Sequence, residues 1–346
     1  MKDVTIIGGG PAGLYASFYA GVRGMQARLI DAQPSLGGKM RIYPEKIIWD
    51  IGGVAPKPCG EIMQDIICQG LHFNPDVHLN SKVVNIEKVS HHHFNVTTES
   101  GTTFSSKSII IAIGGGIITP KKLQLSDDAH DFEYTNLHYA ISKYEHFRGK
   151  KVLISGGGNS AMDWAQALAS IAKEVILVYR NDSVKGHEST WEALQQLRVQ
   201  CLPNVSITAL HHDCHCHDRI QSVTLQHLET QERMTYPIDA VIVSHGYERQ
   251  IDLLQETTMP LALTEQQLIA GQGDTRTTVD GVYACGDILT HPSKINLITG
   301  AFHDAAHAVN SAKVYISPDD TKQGCVSSHH PAFKEANKQF LHQSHR

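Results

Sequence analysis

Two glycine-rich segments are the residues of this chain whose types and spacing point most clearly to chemistry. The first is Gly8-Gly9-Gly10-Pro11-Ala12-Gly13, directly after Val4–Ile7, and the second is Gly156-Gly157-Gly158-Asn159-Ser160-Ala161, directly after Val152–Ser155. Each has the G-x-G-x-x-G/A spacing of a turn from a strand into a helix whose N-terminus binds a pyrophosphate. Two such turns, 148 positions apart, predict two dinucleotide sites and favour electron transfer from one dinucleotide to the other.

The residues that follow each turn differ in charge. Asp31 ends the strand after the first turn, 23 positions beyond Gly8, and a carboxylate there bonds ribose hydroxyls and repels a 2′-phosphate. Arg180 holds the equivalent place after the second turn, with Lys185 five positions later. Cationic side chains bind a 2′-phosphate, so the second site is predicted to prefer NADPH.

The elements that position these residues are two strand–turn–helix–strand units. Ala12, Ala16 and Ala20 recur at a spacing of four, which places small side chains on one helix face and lets the helix lie close to a sheet. The predicted elements are strand 4–7, helix 11–23 and strand 27–30 in the first unit, and strand 152–154, helix 160–172 and strand 174–179 in the second.

The rest of the chain indicates one domain inserted into another. Alternating patterns predict hairpins over 94–105 and 220–237, and apolar runs predict buried strands at 109–113 and 240–244. A long helix is predicted over 297–315. The fold class is therefore α/β with two Rossmann-like dinucleotide-binding domains of three layers (ββα). The expected boundaries are 1–116 and 248–346 for an outer dinucleotide-binding domain and 117–247 for an inserted domain that is predicted to bind NADPH.

Composition excludes several classes of protein. The chain has 346 residues and a net charge of −5, so it lacks the basic excess of a nucleic-acid-binding protein. No apolar run approaches the ~20 residues of a membrane span, and the first strand begins too early for a secretory signal. We expect a soluble, cytoplasmic protein whose seven cysteines are reduced. No C-x-x-C occurs in the sequence.

Three smaller features allow two interpretations each. Gly286-Asp287 follows a predicted strand, where the carboxylate is suited either to a sugar hydroxyl or to capping a helix; Cys285 beside it is expected to be a buried core residue. Residues 211–218 contain the ligand types of a zinc or copper site, but they fall where a hairpin connection is expected, so we favour a polar turn and predict no metal. A basic surface around Lys39, Arg41 and Lys46 suits either an acidic carrier or a solvated rim.

Longer motifs make the chain similar to a known family. It resembles the thioredoxin-reductase-like ferredoxin/flavodoxin–NADP+ reductases over nearly its whole length, in order and spacing. The motifs that carry this resemblance are Ile6–Gly13, Leu36-Gly37-Gly38-Lys39, Tyr43-Pro44-Glu45-Lys46, Leu137-His138-Tyr139, Gly156–Ala165, Gly286-Asp287 and Lys294-Ile295-Asn296-Leu297.

The resemblance implies a set of FAD-binding residues. Tyr43 is expected to stack on the flavin, Asp31 to bind the adenosine ribose, and Asp287 to hold the ribityl chain. The helix that begins near Asn296-Leu297 is expected to direct its positive end at the flavin. The full FAD set is Gly8, Gly10, Gly13, Asp31, Lys39, Tyr43, Val83, Ile118, Asp287, Ser328 and His330.

The resemblance also implies an NADPH set and shows three departures. The NADPH set is Gly156, Gly158, Ser160, Ala161, Arg180 and Lys185. Lys39 stands where the family usually has Gln, and Asn181 where it usually has a second Arg, which weakens the preference for NADPH over NADH. In the tail, His329 or His330 is expected to cover the other face of the flavin. Ser328 is the alternative in a gapless alignment, and a solvated tail is the alternative interpretation.

Thioredoxin reductases of this fold carry a C-x-x-C at the positions of Tyr139 and Ser142. Without those thiols, electrons cannot leave through an internal disulfide. Together with this absence, the resemblance implies an FAD-dependent reductase that transfers electrons between NADPH and ferredoxin or flavodoxin, with no side chain acting as acid or base. The resemblance also implies a homodimer. The alternatives are a reductase of quinones, free flavin or iron chelates, and a non-catalytic redox sensor.

Overall fold

The computed structural model describes residues 1–125, 132–133, 135–197, 199–213, 216–271, 273, 275–321, 324, 326–334 and 337–338. Its strands are β1 (Lys2–Ile7), β2 (Ala27–Ile30), β3 (Ile47–Ile48), β4 (Lys57–Pro58), β5 (Asp76–His78), β6 (Val83–Ser90), β7 (His93–Thr98), β8 (Thr103–Ile111), β9 (Ile117–Pro120), β10 (Leu137–His138), β11 (Lys151–Ser155), β12 (Glu174–Val178), β13 (Val199–Leu202), β14 (Val205–Asp213), β15 (Cys216–His227), β16 (Arg233–Pro237), β17 (Ala240–Val243), β18 (Tyr247–Gln250), β19 (Ile269–Ala270), β20 (Val282–Ala284) and β21 (Leu289–Thr290).

The helices are α1 (Pro11–Val22), α2 (Cys59–Gly70), α3 (Asn159–Leu168), α4 (Glu188–Gln196), α5 (Asp252–Glu256) and α6 (Ile298–Ile316). The chain divides into two compact units: unit 1 is Met1–Arg41, Lys46–Ile117 and Arg249–Arg346, and unit 2 is Ile42–Glu45 and Ile118–Glu248. The main crossing points lie one residue beyond the boundaries expected from the sequence.

Unit 1 is built on a sheet with the order β5-β2-β1-β8-β7-β6, in which β20 also pairs with β8. β5, β2, β1, β8 and β20 run parallel, and β6 and β7 run antiparallel. The alanine face predicted for the first helix is buried: Ala12, Ala16 and Ala20 share a core with Val4 and Ile6. Small side chains thus bring α1 close to the sheet, as the spacing predicts.

Unit 2 repeats this plan with a parallel sheet of order β10-β17-β11-β12-β13 and a separate antiparallel sheet β14-β15-β16. Side chains of a strand alternate between its two faces, so Val152 and Ile154 pack with Met162 and Trp164 of α3. Leu153, on the opposite face, packs with the antiparallel sheet. The predicted α/β class with two Rossmann-like domains of three layers is confirmed.

Two predicted elements differ from the structure. The sequence pattern predicts separate strands at 102–105 and 109–113, but β8 is continuous, because its first half pairs with β7 and its second half with β1 and β20. The helix predicted over 160–172 ends at Leu168. The following backbone turns back instead, and the Lys173 amide bonds the Lys150 carbonyl to start β12.

His138 gives the stability of unit 2 a predictable pH dependence. Burial, together with the nearby charges of Lys150 and His146, lowers the pKa of His138 from 6.5 to about 4. The unfolded chain therefore binds more protons between these values, and stability is lost as the pH falls through 6.5 toward 4. From pH 7 to 5 this group removes about 2 kcal/mol. His138→Phe keeps an aromatic ring against Phe147 but cannot titrate. We expect the loss of unfolding free energy between pH 7 and pH 5, measured by urea titration, to be smaller by that amount in this variant. An equal loss in wild type and variant would contradict this.

Candidate functional site

The first glycine turn joins β1 to α1 and leaves room on its outer side. A Cβ on Gly8 would lie 2.4 Å from the Ala112 carbonyl oxygen, and one on Gly13 would lie 1.8 Å from the Gly8 carbonyl oxygen. These two glycines allow the close packing of strand and helix. Gly10 has an ordinary backbone conformation (φ −80°) and no side chain caps α1, so the helix N-terminus can accept a phosphate.

Asp31 lies against this turn. One of its carboxylate oxygens accepts a hydrogen bond of 2.5 Å from the Gly9 amide, and the other accepts one of 2.7 Å from the Gln33 amide. Burial raises the pKa of Asp31, and these two bonds oppose that effect. A carboxylate has about four acceptor positions, so further positions remain for the hydroxyls of a ribose.

Other residues predicted for the FAD site converge on the same helix end. A Cβ on Gly38, next to Lys39, would lie 2.8 Å from the Cα of Gly10. A Cβ on Gly286, next to Asp287, would lie 2.9 Å from the Cβ of Ala12. Within Gly281–Leu289, Asp287 is the one exposed residue and Cys285 is buried in the core, as expected. Val83, the first residue of β6, is near Asp31, because the Ser81 amide bonds the Asp31 carbonyl.

The predicted flavin-covering residues of the tail do not lie at the start of α1. His330 bonds the Val22 carbonyl oxygen through Nε2 at 2.8 Å and accepts a bond from the Ala332 amide at Nδ1. Val22 is the last residue of α1, about 18 Å along the helix from its start. Ser328 and His329 are exposed. The structure thus does not bring the tail residues to the glycine turn of their own unit, and their contact with the flavin stays a prediction.

The second glycine turn has the same construction. Gly156 has φ +150°, and a Cβ there would lie 2.3 Å from the Ser244 carbonyl oxygen. Ala161, at the third position, is fully buried. A Cβ added to Gly158 would meet nothing within 4 Å, and α3 has no side-chain cap. The middle position is therefore the open one in both turns.

The loop after β12 folds back over this second turn. The Lys185 amide donates a 2.6 Å bond to the Gly157 carbonyl oxygen. The Asn159 side chain accepts a 2.9 Å bond from the His187 amide, so it ties the loop to the start of α3. Arg180 and Lys185 are both exposed, which leaves their cationic groups available to a ligand.

His245, which was not among the predicted site residues, lies beside the second glycine turn. Its Nε2 lies 2.8 Å from the Ser155 Oγ, at the end of β11. Burial and the nearby charge of Arg180 lower the pKa of His245, which favours the neutral form of the ring. The available signal was its position just after a buried parallel strand, since ligands bind at the carboxyl ends of such strands.

Tyr43 belongs to unit 2 in this structure. Its hydroxyl lies 3.5 Å from the Ser160 Oγ, and its ring packs on the core of that unit. Burial raises the pKa of Tyr247, and the neighbouring Tyr43 raises it further. Ile118 is also in unit 2. The two residues are thus not grouped with the other predicted FAD residues, and their flavin contacts stay predictions.

Among the described residues, the free cysteines are Cys59, Cys68, Cys201 and Cys285. Tyr139 and Ser142 stand at the positions of the absent C-x-x-C, and the Tyr139 hydroxyl oxygen accepts a 3.1 Å bond from the Leu123 amide.

In the part of the chain that the structure describes, no group of three metal-ligating side chains is present, and no helix has the length and hydropathy to cross a membrane. The side chains of 213–218 lie outside that part.

Comparisons with known proteins agree with this architecture. The sequence model of the family described as "pyridine nucleotide-disulphide oxidoreductase" matches residues 2–312. The chain is 52% identical over 338 residues to a ferredoxin–NADP reductase of Staphylococcus saprophyticus, with 98% of each chain covered. It is 46% identical over 344 residues to ferredoxin–NADP reductase 1 of Lysinibacillus sphaericus, covering 99% of this chain and 98% of that one.

Among solved structures, the thioredoxin reductase of Lactococcus lactis is similar in fold, with a TM-score of 0.70 at 22% identity, covering 92% of this chain and 100% of that chain. The thioredoxin reductase of T. acidophilum has a TM-score of 0.70 at 23% identity, covering 90% and 97%. The resemblance inferred from the motifs is confirmed. With two glycine turns of equal construction and a family match across most of its length, this chain belongs to the pyridine nucleotide-disulphide oxidoreductases.

Proposed function

We propose that this chain is a ferredoxin–NADP+ reductase that binds FAD in unit 1 and NADPH in unit 2. The observation that carries the proposal is the pair of glycine turns, each with an open middle glycine and an uncapped helix, in a sequence without a C-x-x-C. The ferredoxin–NADP reductases at 44–52% identity over nearly the full chain support it.

The residues of unit 1 fit FAD. The open face at Gly10 has room for a pyrophosphate, Asp31 has acceptor positions for ribose hydroxyls, and Asp287 is exposed near the same helix end. When bound, FAD supplies the exchange between two-electron chemistry at a nicotinamide and one-electron chemistry at a carrier. The protein's part is to orient both nucleotides and to exclude other acceptors.

Arg180 is proposed to bind the 2′-phosphate of NADPH. Replacing it by Gln removes one charge-assisted interaction, worth about 2 kcal/mol, so KM for NADPH should rise about 30-fold. KM for NADH should stay within about twofold because NADH lacks that phosphate. Steady-state rates with both nucleotides measure this. Arg233→Gln, an exposed arginine on β16, is the matched control. Equal losses for both nucleotides would contradict the assignment.

The carrier, assembly and location are part of the same proposal. We propose that ferredoxin or flavodoxin takes the electrons, that the enzyme is a cytoplasmic homodimer, and that His329 or His330 covers the flavin. The experiment is a comparison of NADPH-dependent reduction rates for ferredoxin, flavodoxin, a quinone and free FMN at several ionic strengths. A carrier rate at least tenfold above the small acceptors, falling with salt, supports the proposal. A faster quinone or FMN rate at all salt concentrations overturns it.

A further inference from the structure

A buried ion pair lies under the turn that carries Asp287. The ammonium of Lys294 and the carboxylate of Asp304 form a salt bridge, and their side chains are only 8% and 6% exposed. Lys294 precedes α6 in the chain, and Asp304 lies within that helix. Neither residue has a part in the nucleotide sites described above.

Both members of the pair bind the same residue, Gly286. The Asp304 carboxylate accepts a 3.2 Å hydrogen bond from the Gly286 amide, and the Lys294 Nζ donates one of 2.7 Å to the Gly286 carbonyl oxygen. Gly286 has φ +75°, a conformation that favours glycine. The two charges therefore hold the amide and the carbonyl of one left-handed residue, directly before Asp287.

A third polar group is buried at this place. The His291 side chain is 7% exposed, and its Nε2 lies 3.8 Å from the second oxygen of Asp304. Within the described residues, neither ring nitrogen has a hydrogen-bond partner. Buried ion pairs are weak sources of stability, because desolvation offsets their attraction and apolar residues of similar volume often serve as well. A role in stability alone thus explains poorly why Gly286 is held from both sides.

We propose that Lys294 and Asp304 are positioning residues for FAD, which fix the Gly286 backbone so that Asp287 meets the ribityl chain. This rests on the proposed FAD site in unit 1. Asp31 and the first glycine turn bind the adenosine end and make no bond to the pair, so the two ends of FAD should respond differently to its removal.

The test compares FAD with ADP on the apoprotein. ADP carries the adenosine and pyrophosphate of FAD but no ribityl chain. In Lys294→Met, Kd for FAD from fluorescence quenching should rise at least about 30-fold, while Kd for ADP from calorimetry stays within about twofold. Lys313→Met is the control, because Lys313 lies on the same helix as Asp304 and pairs with Asp320 at a more exposed position, 3.0 Å apart; it should change neither value.

Coupling to Asp287 gives the second readout. In an Asp287→Ala background, Lys294→Met should raise Kd for FAD by less than about threefold, because Asp287, the residue that Lys294 positions, is already absent. Should Lys294→Met not fold, the double variant Lys294→Met/Asp304→Leu removes both charges and keeps the volume apolar, and it should show the same FAD loss with ADP binding retained. Equal weakening of FAD and ADP, or full additivity with Asp287→Ala, overturns the inference. Failure of the wild-type apoprotein to bind FAD would instead overturn the proposed function.

Discussion

Gly158→Asp is expected to weaken NADPH binding strongly without destabilising the fold. A Cβ at this position would meet nothing within 4 Å, and the backbone of Gly158 (φ −97°, ψ 177°) suits any residue at the N-cap of α3. Asp is a favoured N-cap residue, so the unfolding free energy should be equal or higher. The carboxylate would occupy the helix amides and repel the pyrophosphate, which should raise Kd for NADP+ at least about 100-fold, or about 3 kcal/mol.

Gly156→Ala provides the contrast within the same turn. Its Cβ would lie 2.3 Å from the Ser244 carbonyl oxygen at φ +150°, so we expect a loss of about 2 kcal/mol or more in unfolding free energy. Calorimetric Kd for NADP+ and urea unfolding of both variants measure the two effects. If Gly158→Asp binds NADP+ normally, the second turn is not the pyrophosphate site.

Gly10→Asp should have the corresponding effect on FAD. Gly10 is the N-cap of α1 with φ −80°, and the atom nearest to its added Cβ is the Gly38 Cα at 3.7 Å. A Cβ therefore makes only an ordinary contact there, and we expect the carboxylate it carries to conflict with a bound pyrophosphate. We expect apoprotein that unfolds cooperatively and binds FAD at least about 100-fold more weakly.

The controls for this variant separate charge from position. Gly52→Asp adds the same charge in the same unit at a glycine with nothing within 4 Å, and its flavin content after purification should equal that of the wild type. Gly158→Asp should also keep its FAD. A Gly10→Asp protein that is purified with a full complement of flavin would place the FAD phosphates elsewhere.

The sequence predicted local structure well where one physical cause dominates. Alanine spacing and glycine turns fixed α1 and the turn before α3, because only small residues allow that packing. The sequence pattern predicted two strands where β8 is continuous. A local pattern does not reveal that the two halves of one strand pair with different neighbours. The early end of α3 at Leu168 is likewise followed by a bond from the Lys173 amide to the Lys150 carbonyl, a residue distant in sequence.

The site was predictable in part for the same reason. Gly10 and Gly158 are the N-cap residues of α1 and α3, Asp31 bonds the first turn and Lys185 bonds the second; that they bind nucleotides stays a prediction. The Lys294–Asp304 pair was hidden, because ten positions separate its members and only the folded chain brings both to Gly286. The flavin contacts of Tyr43 and the tail stay predictions, because no motif relates the positions of these segments to that of the first glycine turn.

Electrons are proposed to pass from NADPH through FAD to the carrier without a cysteine pair. The direct measurement is the rate of ferredoxin reduction after the enzyme has been reduced with NADPH, treated with iodoacetamide and freed of reagent. An enzyme that uses a dithiol loses its carrier activity under this treatment, since reduction exposes the thiols. We predict a rate unchanged within about 20%, with thiol modification verified by mass spectrometry. Loss of ferredoxin reduction, with reduction of the flavin by NADPH preserved, would contradict the account.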